Sequence, residues 1–247
     1  MLLSEPKLKR RRHRSTPDRG PPDSRAPRTT SVPKPTAATR RRHPSVREAN
    51  IGKILAATEP VFALHGYAGA SMTKLARAAG IPKANLHYYF GTKEQLFRTV
   101  LERIVGGWLG EATVWLAPER HPADALANYV RAKMDMTRQR PHASRIFAAE
   151  LLRGAPHIGG YLTGELSRCV ARLAKVIEGW SARGWMDPVS PKHLLFDIWA
   201  MTQTYADFDV QILAVLGKKT LSGRDFKTAT DTIVTLVLKG CGIRRPT

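Results

Sequence analysis

The stretch Ser71 to Lys93, S-M-T-K-L-A-R-A-A-G-I-P-K-A-N-L-H-Y-Y-F-G-T-K, holds the residues whose types and spacing best match a defined chemistry. Leu86, Tyr89 and Phe90 recur at helical spacing and can face a core. That leaves Lys83, Ala84, Asn85, His87 and Tyr88 for the opposite face, whose donors and acceptors suit a base edge. An asparagine amide pairs bidentately with adenine, an alanine methyl packs on a thymine methyl, and a lysine reaches guanine. Tyr88 and Lys93 suit phosphates, which position a protein on a duplex without reading it.

Upstream, Ser71 is a good N-cap, and Met72, Leu75 and Ala76 form the apolar stripe of a short first helix. Gly80 tolerates the left-handed backbone of a sharp turn, and Pro82 fits the first turn of the next helix. The sum is a helix-turn-helix, whose second helix enters the major groove of double-stranded DNA. Helical proteins that bind no DNA also contain such turns, so charge must be weighed. Forty Lys and Arg against twenty Asp and Glu give a net charge of +20 and a pI near 10.6. Such a surface favours polyanions.

Other chemistries lack their residues. No P-loop and no G-x-S-x-G occurs, and nothing supplies a paired nucleophile and base, so an enzyme is not expected. His121, His142, His157 and His193 have no metal-ligand spacing, and neither metal nor cofactor is expected. Cys169 and Cys241 form no motif. No uncharged apolar run approaches the roughly 18–20 residues needed to span a membrane. No apolar segment follows the N-terminal arginines, so no signal peptide is expected. These features read as a soluble, cytoplasmic protein that sits with the nucleoid.

The elements that must position these residues are helices. Ile51, Ile54, Leu55, Thr58 and Phe62 mark a first one from Arg47, which Pro60 is expected to kink or divide and Gly66 to end. Further helices are expected from Lys93 to about Trp115, Pro122 to Arg138, and Pro141 to Arg153. Three more are expected from about Tyr161 to Arg183, Lys192 to Leu216, and Asp225 to Lys239. No stretch has the alternation of a strand, and the fold class is all-α. Residues 1–45 are rich in Pro, Arg, Ser and Thr and carry a net +10. They read as a disordered basic tail. Residues 46–92 then form the DNA-binding unit and 93–243 a larger helical domain. Asp207 and Asp209 are given cap or salt-bridge roles, and Arg244 and Arg245 a frayed end.

The run from Ile54 to Leu96 resembles the TetR family of bacterial regulators. The matching residues are Ile54-Leu55-Ala56-Ala57, Phe62, His65-Gly66-Tyr67, A-x-x-A-G-I-P-K-A-N-L-x-Y-Y-F and Lys93-Glu94-Gln95-Leu96. The resemblance implies a three-helix head, a linking fourth helix, and a homodimer formed by the last helices on a palindromic operator. It makes Ser71, Thr73, Lys83, Ala84, Asn85, His87, Tyr88 and Lys93 the DNA-facing candidates. Pro60 and His87 depart from the usual pattern. The segments 141–156 and 194–208, with Trp108, resemble the pyrimidine-responsive branch of that family.

The resemblance implies ligand-binding roles for Trp108, Trp199 and Gln203. Leu195, Trp199 and Gln203 share one helix face, and a Gln amide can pair reciprocally with the adjacent carbonyl and N–H of uracil or thymine. Tryptophans on helix faces also serve simply as core. The reading is a regulator, a repressor by family habit, whose small-molecule effector changes the separation of two recognition helices about 34–36 Å apart. The same regulator sensing an unrelated apolar or drug-like effector is the nearest alternative. A sequence-independent architectural binder driven by the basic tail is the alternative of another class.

Overall fold

The computed structural model describes residues 46–243, and the basic tail and Arg244 and Arg245 lie outside them. Among the described residues no strand occurs. The helices are α1 Val46–Gly69, α2 Met72–Ala78, α3 Lys83–Phe90, α4 Lys93–Trp115, α5 Pro122–Gln139 and α6 Pro141–Leu152. They continue as α7 Gly159–Tyr161, α8 Ser167–Ala182, α9 Pro191–Asp207, α10 Asp209–Leu216 and α11 Gly223–Gly240. A π-helical turn, Leu162–Leu166, joins α7 to α8. The all-α expectation holds, and most ends fall within a residue or two of those read from the sequence.

Three expected features differ. Helix α1 runs through Pro60 and loses helical geometry at Gly66, with φ 63° and ψ 179°. Pro60 is exposed, as is Ala56, whose carbonyl loses its donor, so water can satisfy that group. Only glycine adopts the backbone angles at residue 66 without strain. The long helix expected from Lys192 to Leu216 is broken at Phe208. There Arg145 Nε donates to the Ala206 carbonyl at 2.9 Å and its Nη2 pairs with Asp209 at 2.5 Å. The arginine thus takes a terminal carbonyl of α9 and anchors the first turn of α10. The helix expected from about Tyr161 to Arg183 runs unbroken from Gly159 to Ala182, but with a π turn at Leu162–Leu166 inside it.

Capping chemistry fixes the other ends. Ser71 Oγ accepts from Lys74 N at 3.2 Å, opening α2. Thr92 and Gln95 form a reciprocal capping box at the start of α4, with both bonds at 3.1 Å. Ser222 and Asp225 do the same for α11.

Two apolar cores result. One gathers Phe62 of α1, Leu75 of α2, Leu86 of α3 and Leu96, Val100, Leu101 and Ile104 of α4, with Ile146 and Phe147 of α6. The other gathers Ala112 and Leu116 of α4, Leu126 and Val130 of α5, Ile177 and Trp180 of α8, Ile198 of α9 and Ile233 of α11. Helix α4 therefore belongs to both, and α6 packs directly on α1. A carboxylate–guanidinium pair, Glu59 with Arg140, joins α1 to the α5–α6 corner, with Glu59 buried and Arg140 half-exposed.

Candidate DNA-reading helix and effector cavity

The head presents α3 outward. Leu86 and Phe90 are buried and Tyr89 half-buried, while Lys83, Ala84, Asn85, His87 and Tyr88 are exposed. The face expected to read bases is thus the solvent face, and Tyr88 stands 76% exposed. Asn50 Nδ2 donates to Tyr89 Oη at 3.5 Å, a long bond that ties α3 to α1. Tyr89 in turn meets Tyr88 edge-on, ring centroids 5.5 Å apart. Gly80 at φ 66° and Gly91 at φ 65° make the turns at either end of α3, as glycine permits.

Three candidates have internal duties as well. Ser71 caps α2, while Thr73 one turn in is exposed. His87 Nδ1 lies 2.7 Å from the Gly91 carbonyl, closing the C-terminal turn of α3. Lys93 Nζ donates to the carbonyls of Tyr67 at 2.9 Å and Ala70 at 3.1 Å, and lies 4.3 Å above the Tyr67 ring. It locks the end of α1 to the start of α4, leaving one N–H for another acceptor.

Where the two cores meet, Trp108, Trp199 and Gln203 line a single cavity, together with Val105, Leu109, Tyr129, Lys133, Phe147 and Leu166. Helices α4, α5, α6 and α9 and the π turn all contribute to it. Its walls are aromatic. Trp108 meets Phe147 edge-on at 5.1 Å, and Trp199 Nε1 donates to Tyr129 Oη at 2.7 Å. The space inside is about 30 Å³, close to the share of one water in the liquid. A flat heterocycle can enter only if the walls move. Larger grooves, about 450 and 470 Å³, lie at the surface between α9, α10 and α11 and between α5 and α11. They are more open to solvent, and each carries a single aromatic side chain, Tyr205 or Phe226, so the tighter, aromatic-walled cavity is the stronger candidate.

Sequence reasoning missed Lys133. It is 2% exposed, and its ammonium sits 4.4 Å over the Trp108 ring. Burial pushes its pKa down to about 7, against the attraction of Asp207. Burial likewise raises the Asp207 carboxyl, against the neighbouring Ser144 hydroxyl and the pull of Lys133 and Arg145, and raises the Tyr129 hydroxyl. The signal was a lysine within the apolar stripe Leu126, Val130, Lys133 and Thr137 of α5, where a charge has no solvent to reach.

The last helices expose a run of large apolar side chains: Phe196, Phe208, Val210, Val215, Leu216 and Leu236. Among the described residues no helix is long and apolar enough to cross a membrane, and no cluster of ligating side chains could hold a metal ion.

Residues 54–100 match the family described as "Bacterial regulatory proteins, tetR family", and residues 101–244 match "YcdC-like protein, C-terminal region". The HTH-type transcriptional regulator RutR of Escherichia coli K12 is 36% identical over 187 residues, spanning 76% of this chain and 88% of RutR. Among solved structures, a tetR-family regulatory protein from Rhodococcus RHA1 superposes with a TM-score of 0.63 at 18% identity, over 79% of this chain and 98% of its own. The ketosteroid transcriptional regulator KstR2 of Mycobacterium tuberculosis gives 0.61 at 15% identity, over 78% and 95%. These two share the fold.

Proposed function

This chain belongs to the TetR family of bacterial regulatory proteins, a DNA-binding regulator with a ligand-sensing C-terminal domain, and from that membership we propose a specific division of roles. Helix α3 lies in the major groove of a palindromic operator, with Asn85, Ala84 and Lys83 toward the bases. Ser71, Thr73, His87, Tyr88 and the remaining N–H of Lys93 grip phosphates. TetR regulators act as dimers, and the exposed apolar side chains of α9, α10 and α11 are the face that a second copy covers. The dimer then holds two recognition helices about one DNA turn apart.

The effector is a pyrimidine base such as uracil or thymine, and the protein represses until that base is bound. One observation supports this reading above the others: Trp108 of α4 and Trp199 and Gln203 of α9 line one cavity. Two tryptophan faces suit a flat ring, and the Gln203 amide suits its carbonyl and N–H edge. Because the cavity holds only about 30 Å³, the ligand gains affinity only for an arrangement with displaced walls. It can therefore shift an equilibrium between two states. Phe147 lines the cavity and also packs in the head's core, so α6 as well as α4 carries the displacement to the head.

The test is fluorescence anisotropy of labelled operator DNA with the full-length protein, titrated with uracil, thymine, purines and unrelated apolar compounds. Release of DNA by uracil or thymine alone, abolished in Gln203→Ala, is expected. Release by an unrelated apolar compound with no response to either pyrimidine would replace the effector assignment.

A further inference from the structure

Lys133 has no counterpart in the roles assigned so far. Among the described residues its ammonium makes no hydrogen bond and no ion pair, and its ring contact with Trp108 offsets only part of what burial costs a cation. The other groups around the cavity do not supply the missing acceptor. Arg145, on α6, is engaged with Asp209 and the Ala206 carbonyl. Asp207, on α9, acts on Lys133 by attraction at longer range, and its Oδ1 has no hydrogen-bond partner. The Tyr129 oxygen, on α5, already accepts from Trp199, so its own proton is left as a donor. The lining contributed by α4 and the π turn is apolar apart from the Trp108 indole. The polar inventory of the lining is therefore the Lys133 ammonium, the Tyr129 O–H, the Trp108 indole N–H and the Gln203 amide, which together offer more donors than acceptors.

Resting on the reading of this cavity as the effector site, we propose that Lys133 selects the effector. The site takes a flat ring that turns an acceptor oxygen, as a carbonyl or a carboxylate, onto the Lys133 ammonium, and it rejects rings of the same shape without one. Gln203 then reads the neighbouring edge, and the tryptophans cover the ring faces.

A proton linkage accompanies this recognition. An oxygen on the ammonium favours the charged form, so it raises the Lys133 pKa in the complex. Free Lys133 loses its proton near pH 7. For a ligand that keeps its own protonation state, affinity is highest below that value and falls as pH rises above it, approaching tenfold per pH unit. A ligand that can surrender its own proton to Lys133, such as an imide, shows a flatter profile up to its own pKa.

Isothermal titration calorimetry of the full-length protein with uracil, benzoate and indole, across about pH 6 to 9, tests the proposal. Uracil and benzoate present oxygens, whereas indole is flat and presents none. The expected result is binding of an oxygen-bearing probe, no binding of indole, and at least a tenfold loss in Lys133→Met together with loss of the pH dependence. Circular dichroism confirms that the variant is folded. Asp207→Asn, which removes the distant carboxylate but keeps its shape, is expected to move the pH profile of benzoate downward. Indole binding as tightly as the oxygen-bearing probes, or Lys133→Met keeping their affinity, overturns the proposal. Uracil binding that ignores Lys133 leaves the pyrimidine reading standing and this one refuted. Benzoate binding through Lys133 without uracil binding does the reverse, and failure of all three probes overturns both.

Discussion

Replacing Lys133 by methionine removes a buried ammonium at nearly constant length, and its effect on stability follows from two proton affinities. In the unfolded chain the lysine holds its proton up to its ordinary value of 10.5, and in the folded protein only to about 7. Between those limits the unfolded chain binds the extra proton, so the wild type gains stability as pH rises. At about 1.4 kcal/mol per pH unit of difference, the buried charge costs about 5 kcal/mol near pH 6 and about 2 kcal/mol near pH 9. Methionine carries no such cost. The variant is therefore expected to be more stable than the wild type near pH 6, with an advantage that shrinks by about 2–3 kcal/mol toward pH 9. Any loss of packing lowers both values and leaves their difference untouched. Urea unfolding followed by circular dichroism, at one protein concentration because dimers unfold by mass action, measures it. Parallel pH profiles for wild type and variant would refute the assignment of a desolvated cation at this position.

Three other perturbations separate the parts of the molecule. Asn85→Ala is expected to relax base preference at one operator position by about 1–3 kcal/mol, read by competition with single-substituted operators. Unchanged preference would move base reading off Asn85. Glu59→Gln leaves Arg140 without its carboxylate. Because Arg140 is 43% exposed, the expected destabilisation is about 1–2 kcal/mol, below the 3–5 of a fully buried pair. Removing residues 1–45, which carry a net +10, is expected to weaken operator affinity and flatten its salt dependence while sequence preference survives. Loss of preference with the tail would favour an architectural binder.

Helix α3 was legible because its constraints are local. Gly80, Pro82 and the spacing of Leu86, Tyr89 and Phe90 fix a turn and an outward face without help from the rest of the chain. Trp199 and Gln203 were legible as a shared helix face, and their meeting with Trp108 rested on resemblance, since α4 and α9 are far apart in sequence. Lys133 escaped notice because long basic side chains on an apolar stripe usually snorkel to water, and only the packing of α4, α6 and α9 around it closes that route. At the break, Phe208, the contacts of Arg145 come from some sixty residues earlier, and no local propensity at 208 announces them. Pro60 misled in the opposite direction. Its effect on a helix depends on which way the residue faces, and the exposed face lets α1 continue.

The presence of Ile146 and Phe147 in the core beneath the recognition helix bears on how such proteins diversify. A head excised at residue 92 would leave behind Val100, Leu101 and Ile104 of α4 as well as these two side chains of α6. Leu75, Leu86 and Phe62 would then face water. Recombination that joins this head to a foreign sensor must import matching α4 and α6 surfaces or pay in solubility. Operator preference can drift through the exposed residues of α3 alone. A new effector response, in contrast, has to be selected in a helix that the head already uses as its floor.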